Sequence, residues 1–384
     1  MKILHIGTDS KFVKSAAEQI SQAFQDSVQD YYILNGDYTV HGFEHKQLFE
    51  KVLTLKEGKS IPKTNVNKYD FVFIHFLHPE SCKFIYENRV YKNFVWFVWG
   101  SDLYTHIPSF PLFRKRTKQI RKSTIPVYKR YVVLARKRLY KHYLDIVFKK
   151  SFVIKNVIHI AAVTFQEDLD ILNKYFPSKE NRKKFTFNYF PVSSYKSEKQ
   201  EEDKSFILVG NSSHFVNNHI DLLDSISEGD LGAYKIVAPL NYGNKAYGDY
   251  VENYGENLFG NKFEALRVYM PLAEYEQQIL ARTGIAIFGN LRQKAFGNIV
   301  SCLMHGAKVY LSEKNTIYHF LKRKNIIVKS IEESLEKDIK LGLENLSKRE
   351  VENNRSILTA MYSKEKLVTS LRVQLLELKK PTAC

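Results

Sequence analysis

Cysteine is scarce in this 384-residue chain. Its three cysteines, Cys82, Cys302 and Cys384, lie far apart and form no CxxC pair. Neither a zinc site nor a disulfide framework is expected, and a reducing compartment fits best. Long apolar runs are missing too. No stretch approaches the roughly 18 residues that would span a bilayer. The opening MKILHIGTDS leads into a strand and turn rather than the apolar core of a signal peptide. Any membrane contact is therefore expected to be peripheral. With 17 Gly and 10 Pro the chain is not low-complexity. It has neither a G-x-G-x-x-G nor a Walker A sequence, so dinucleotide and P-loop chemistry are unsupported. Acidic residues are absent over one long stretch, between Asp102 and Asp145.

Positive charge is plentiful. Lysine and arginine number 58 against 41 aspartate and glutamate, a formal charge of +17. Such a chain attracts polyanions: nucleic acid, anionic lipid or phosphate-bearing substrates. Hydrophobic residues make up 44%, and 26 Phe and 24 Tyr dominate the aromatics; at this length that supports two cores rather than one. The charge is not evenly spread. Arg114–Lys141 carries twelve Lys and Arg, interleaved with Tyr, Ile, Val and Leu. Pro126 is expected to break this segment into two helices, the second having a basic face over Tyr128–Tyr143. That composition suits a helix lying on anionic lipid with its aromatics in the interface. A solvated helical pair is the plainer alternative.

Apolar runs alternate with helical spacing along the whole chain. In the N-terminal half, strands are expected at Lys2–Gly7, Tyr31–Leu34, Phe71–Phe76, Phe94–Trp99, Val157–Val163 and Phe185–Phe190, with helices at Val13–Phe24 and Gln166–Tyr175. Pro191–Lys204 is polar and charged, as a linker would be. The rhythm then restarts, with strands at Ser205–Gly210, Tyr234–Pro239, Ala265–Tyr269, Gly284–Phe288, Lys308–Leu311 and Asn325–Val328. Helices are expected at Ala246–Phe259, Glu274–Thr283 and Gly297–His305, and residues 331–378 read as mostly helical. This alternation predicts an α/β chain of two Rossmann-like domains with parallel sheets, facing across a cleft. The expected bounds are 1–190 with a basic insertion at 105–145, a linker at 191–204, a second domain at 205–355, and a C-terminal helix and tail at 356–384.

Ligands of parallel sheets sit at the carboxyl ends of the strands, so the turns there carry the candidate chemistry. Leu208-Val209-Gly210-Asn211-Ser212-Ser213 ends a strand in small residues before a helix, exposing N–H groups suited to phosphate. Phe288–Asn298 joins a buried strand to an apolar helix. In it Arg292 and Lys294 supply charge, and the Gly297 and Asn298 amides supply directed donors. Tyr269-Met270-Pro271 offers an apolar shelf to a base, and Asn241-Tyr242 follows the strand Tyr234–Pro239. An ordinary strand–helix turn, a solvated basic loop and a packing turn are the competing readings. In the first half, Trp96–Tyr104 delivers Asp102 at a strand end beside two Trp. Apolar neighbours raise a carboxylate toward the range of a general base, and Trp rings stack on sugars; an N-cap Asp is the alternative. Asp9 and His75 are companion candidates, a lone His on an apolar strand being more often a satisfied core residue.

Three blocks, WFVWGSDLY, ILVGNSSHFVNNHID and the run from Tyr269-Met270-Pro271 through Gly297-Asn298, resemble the bacterial 4-alpha-L-fucosyltransferase family, over roughly residues 1–330. The match touches Trp99, Gly100, Asp102, Leu103 and Tyr104, then Gly210, Asn211, Ser212, Asn217 and His219, then Arg292, Gln293 and Gly297. The basic segment departs from the family pattern by about 30 extra residues. The resemblance implies a GT-B fold and an inverting sugar transfer without a metal, from a dTDP- or GDP-linked donor to a polyprenyl-diphosphate-linked glycan.

On this reading Gly210, Asn211, Ser212, Asn241, Tyr242, Met270, Arg292, Gly297 and Asn298 hold the donor. Trp99 and Tyr104 face the acceptor. Asp102 is the first choice of base, ahead of Asp9 and His75. Asp168-Leu169-Asp170 falls in a predicted helix rather than a loop, so no metal is expected, and no cofactor beyond the donor. The protein is expected in the cytoplasm, peripheral on the inner face of the cytoplasmic membrane. Two rivals stand beside this. A nucleic-acid-binding protein would suit the charge, but that charge is concentrated in one insertion and no RRM, KH or zinc motif is present, so no nucleic acid is expected. A GT-B nucleotide-sugar epimerase would need neither an acceptor site nor a membrane patch.

Overall fold

The computed structural model describes residues 1–8, 11–34, 48–56, 59–107, 110–123, 127–192 and 203–380. The chain divides into two compact units. One comprises Met1–Pro108, Tyr131–Phe190 and Lys364–Cys384; the other comprises Ser109–Arg130 and Pro191–Ser363.

The first unit is built on seven strands: β1 (Lys2–Gly7), β2 (Val28–Leu34), β3 (Lys51–Leu55), β4 (Phe71–His75), β5 (Phe94–Phe97), β6 (Ile160–Ala162) and β7 (Lys183–Phe185). Their order is β3-β2-β1-β4-β5-β6-β7, and every pairing is parallel. The strands are apolar without alternation because helices cover both faces; all of β4 and β5 is buried. The expected strands return with small shifts. β3 was not expected: it is a half-exposed edge strand, and five residues of mixed polarity leave a weak pattern. The strand expected over Phe185–Phe190 ends at Phe185. Beyond it Phe187 and Tyr189 still turn into the core, which accounts for the alternation that mimicked a strand.

The second unit has six strands: β8 (Phe206–Val209), β9 (Lys235–Pro239), β10 (Phe263–Leu266), β11 (Thr283–Phe288), β12 (Lys308–Leu311) and β13 (Lys329–Ser330). Their order is β10-β9-β8-β11-β12-β13, all parallel. In both sheets the order reverses beside the first strand, between β1 and β4 and between β8 and β11. That switch point is where open parallel sheets hold ligands. Two glycines let the backbone close there in the second unit. Gly210, just past β8, has φ +71, and a Cβ on it would stand 2.6 Å from His219 Nε2; one on Gly289, just past β11, would stand 2.6 Å from Asn217 O.

The units differ from the expected division in two places. Residues 109–130, the first part of the basic insertion, belong to the second unit rather than the first. The reason is local. Arg116 and Thr117 N–H groups, at the start of helix Lys115–Ser123, each donate to the Asp221 carboxylate at 2.8 Å. Arg116 pairs with Asp224 at 3.0 Å and Arg114 pairs with Glu332. Ile120 packs on the second core. The C-terminal helix Lys364–Lys379, expected as part of a separate tail, returns to the first unit. It packs on helix Lys11–Ala23, burying Leu371 and Leu375 in the first core, and Lys379 pairs with Asp70 at 2.9 Å. Gln374 also covers the free side of the sheet edge beyond β7, accepting from Thr186 N–H at 2.7 Å and donating to Thr186 O at 3.0 Å, which blunts an edge otherwise open to pairing. Leu375→Ala is expected to destabilise the first unit by about 2–4 kcal/mol, measured by denaturant titration. A loss near zero would mean that the helix does not complete this core.

Candidate functional site

In the second unit, the turns after β8, β9 and β11 meet in one polar network. Lys294 Nζ donates to Ser212 Oγ at 3.0 Å. Asn217 Nδ2 donates to Ser212 O at 2.6 Å and fixes that turn from below. Asn211 Nδ2 donates to Tyr242 Oη at 3.0 Å. Ser213 N–H and Oγ–H both donate to Tyr242 O, at 2.8 and 2.7 Å. Arg292 is 8% exposed and donates to Gln293 O at 2.7 Å. Ala295 reaches left-handed backbone (φ +63) immediately before helix Phe296–Met304, whose first turn contains Gly297 and Asn298. A non-glycine residue there marks a strained, over-determined turn.

Of the sequence-expected donor residues, Asn211, Ser212 and Tyr242 are thus joined directly, with Arg292, Gly297 and Asn298 on the loop and first turn that bring Lys294. Gly210 supplies the turn. Asn241 precedes Tyr242 in the loop after β9. Met270 is half-buried beside exposed Tyr269, and among the described residues no hydrogen bond ties it to this network.

The electrostatics are those of crowded, partly buried cations. Burial, with Arg292 adding to it, lowers the Lys294 ammonium to about 7. Burial and the charges of Lys294 and Arg292 also hold His214 below its ordinary value. His219, buried next to Lys294, drops to about 3. Two buried side-chain oxygens at this rim, Asn211 Oδ1 and Gln293 Oε1, have no hydrogen-bond partner, and unpaired buried polar atoms are uncommon outside functional sites.

The first unit holds the residues expected to act on the acceptor, and it places them differently. Asp102 is 1% exposed. Its Oδ2 accepts from Trp96 Nε1–H at 2.8 Å and Leu77 N–H at 3.1 Å, and its Oδ1 accepts from Trp99 N–H at 3.0 Å. Burial raises its pKa above the usual carboxylate range, against the pull of the Trp96 bond. The direction is the one expected of a base, but the geometry is that of an anchor tying the turn past β4 to β5 and to the turn past β5. Tyr104 is likewise interior, its Oη–H spent on Asp168 Oδ1 at 2.6 Å. Trp99 stays half-exposed, beside Phe12 at 5.0 Å and Phe76 at 5.9 Å between ring centroids. Asp9 lies outside the described residues.

His75 is fully buried rather than on the rim, and its surroundings form a single oriented chain. Gln29 Nε2 donates to Ala17 O at 3.1 Å, so Gln29 Oε1 accepts from His5 Nε2–H at 2.9 Å. His5 Nδ1 then accepts from His75 Nε2–H at 3.0 Å. His75 Nδ1 accepts from Tyr189 Oη–H at 3.4 Å, and Tyr189 Oη accepts from Trp99 Nε1–H at 2.7 Å. Every member is satisfied with both imidazoles neutral. Burial holds His5 at about 4 and His75 well below the ordinary value. Sequence reasoning missed His5 and Gln29, because nothing in a one-dimensional pattern pairs them with residue 75. Asp168-Leu169-Asp170 lies on helix Gln166–Tyr175 as expected; Asp170 Oδ1 accepts from Gln166 at 2.9 Å.

Two parallel six- and seven-stranded units, one with a cationic rim at its switch point, define the GT-B glycosyltransferase class. Solved structures with this fold include Anabaena Alr3699/HepE in complex with UDP and glucose, at TM-score 0.60 and 10% identity over 98% of this chain and 99% of that one. Sucrose-phosphate synthase from Thermosynechococcus elongatus is similar at TM-score 0.64 and 12% identity, over 98% and 99%. TarM is similar at TM-score 0.60 and 9% identity, over 99% of both chains. At such identities the likeness concerns the fold. The chain belongs to the 4-alpha-L-fucosyltransferase family, glycosyl transferase group 56, whose profile matches residues 82–351. It is a glycosyltransferase.

Asp102→Asn leaves at least one of the three N–H donors without an acceptor. It is expected to cost about 2–3 kcal/mol of stability, read by denaturant titration. An Asp102→Asn protein of full stability that has lost turnover would instead assign the carboxylate to the chemistry.

Proposed function

We propose that this enzyme transfers a deoxyhexose or acetamido-dideoxyhexose, with inversion and without a metal, from a dTDP- or GDP-linked donor to a polyprenyl-diphosphate-linked glycan. The observation that carries the donor half is the Lys294–Ser212 contact beside Arg292, at the switch point of β8 and β11. The acceptor hydroxyl attacks the anomeric carbon as the bond to the diphosphate breaks, and negative charge grows on the leaving group. Arg292, Lys294 and the amides of the Gly297–Asn298 turn neutralise it where water is excluded. A diphosphate also restores the full charge of Lys294, which burial and the neighbouring Arg292 disfavour. The two aspartates of Asp168-Leu169-Asp170 are engaged by Tyr104 and Gln166, which leaves charge neutralisation to these cations.

With Asp102 and His75 interior, Asp9, two residues past the end of β1, takes the role of base. The enzyme works at the inner face of the cytoplasmic membrane. Among the described residues no helix is long and apolar enough to cross a membrane. Helix Val127–Val147, however, exposes Val132, Leu139, Tyr143 and Ile146 at helical spacing, with Tyr140 and Val147 beside them. Exposed Arg138 and His142 lie to one side of this stripe and Arg136 within it, the pattern of a helix lying in a lipid interface with its cationic side chains reaching the headgroups.

Titration with dTDP and GDP, followed by melting temperature and calorimetry, tests the donor half. At least one of them is expected to stabilise the wild type, and Arg292→Ala and Lys294→Met to weaken it by about tenfold or more. Equal affinity in all three proteins would sink the donor site. Asp9→Asn is expected to keep nucleotide affinity while kcat falls by about 10²–10⁴; retained turnover removes Asp9 as the base.

A further inference from the structure

The first unit contains a cavity of about 130 Å³ that the transfer reaction leaves without a role. It lies on the carboxyl side of the sheet, against Leu77 beyond β4 and His106 beyond β5, and at the foot of helix Val127–Val147. His106, Asp145, Lys150, Ser151, Lys155 and Tyr175 line it. At about 30 Å³ per liquid water this is room for about four waters, and so for one tetrahedral phosphate.

Lys150 is the feature that asks for a ligand. It is only 5% exposed, and lysines are almost never so buried unless paired. Its ammonium donates to Leu77 O at 3.3 Å and to His106 Nε2 at 2.5 Å. That uses two of three N–H groups, and no carboxylate among the described residues forms an ion pair with it. Asp145 is the acid of the lining, and its Oδ1 already accepts Ser151 N–H at 3.1 Å and Ser151 Oγ–H at 2.7 Å. Burial lowers the Lys150 pKa, while Asp102 and Asp145 pull it back more weakly. Exposed Lys155 adds a second positive charge at the mouth. An anionic oxygen is the partner this arrangement lacks.

The surroundings define what carries that oxygen. Leu144 and Asp145 belong to the last turns of the helix whose outer face bears Leu139, Tyr140, Tyr143, Ile146 and Val147. Tyr175 of the lining is also exposed, as is Phe152, next in sequence to the lining residue Ser151. Apolar surface thus adjoins a cationic hole. We propose that this cavity binds the phosphate group of an anionic lipid whose hydrocarbon lies along the exposed stripe of helix Val127–Val147. The proposal rests on the membrane-facing role of that helix and adds to it a specific headgroup site.

The full chain is sedimented with phosphatidylcholine vesicles carrying either phosphatidic acid or oleate, matched in surface charge. Stabilisation by inorganic phosphate is measured in parallel. The wild type is expected to bind phosphatidic acid vesicles about tenfold more tightly than oleate vesicles, a phosphate-specific gain beyond diffuse attraction. Lys150→Met is expected to erase that difference and leave oleate binding intact; Lys155→Met, at an exposed position, is expected to reduce it and covers the case in which Lys150→Met does not fold. Equal binding to both vesicles by the wild type, or equal losses on both in the variants, overturns the proposal while leaving the helix on the membrane. Binding to neither vesicle overturns the membrane reading as well. Stabilisation by phosphate that needs Lys150, without vesicle binding, assigns the cavity to a soluble phosphate and overturns the lipid.

Discussion

A parallel sheet buried on both faces leaves its polar chemistry one place to go. Its strands are filled with apolar side chains and its backbone groups are spent on neighbours, so charge and unpaired N–H groups collect in the turns past the strand ends. Both units of this transferase obey that constraint. Past β8 and β11 it gathers Asn211, Ser212, Arg292 and Lys294. Past β4 and β5 it gathers Leu77, Trp99, Asp102 and His106. Gly210 and Gly289 let the set past β8 and β11 close tightly, since a Cβ on either would strike the Asn217–His219 segment.

The same constraint makes interior polar groups expensive unless every one is matched. The first unit matches them by a chain from Trp99 through Tyr189, His75 and His5 to Gln29, in which each donor faces an acceptor and no ring is charged. Asp102 does the equivalent for three backbone and indole N–H groups. These side chains look catalytic in a linear reading because they are polar and lie at strand ends. In space their hydrogen bonds reach Trp99, directly from Asp102 and through Tyr189 from His75.

The excess of positive charge serves two ends. Arg114 and Arg116 are consumed by Glu332 and Asp224, and with Asp221 they dock helix Lys115–Ser123 on the second core. Arg136 and Arg138 remain exposed beside an apolar stripe. One acid-free stretch of sequence thus splits into a structural clasp and a surface, and only the position of its acidic partners, more than a hundred residues away, separates the two.

The sequence by itself determined the fold class, because period-2 and period-3.6 apolar patterns report burial directly. It also located the turns past β8 and β11, since Gly and small polar residues follow the strand ends there. The break expected at Pro126 falls outside the described residues, between helices Lys115–Ser123 and Val127–Val147, and helix Gln166–Tyr175 appears where its spacing placed it. Tertiary structure decided the rest. Residues 109–130 and 364–384 crossed the expected boundaries because Asp221, Asp224 and the Leu371–Leu375 face act across long sequence separations. Asp102, Tyr104 and His75 lie inside hydrogen-bonded networks rather than on the rim because their partners, Leu77, Asp168 and His5, are set by folding rather than spacing. Lys150 gave no signal among fifty-eight basic residues; only burial without a counter-charge sets it apart.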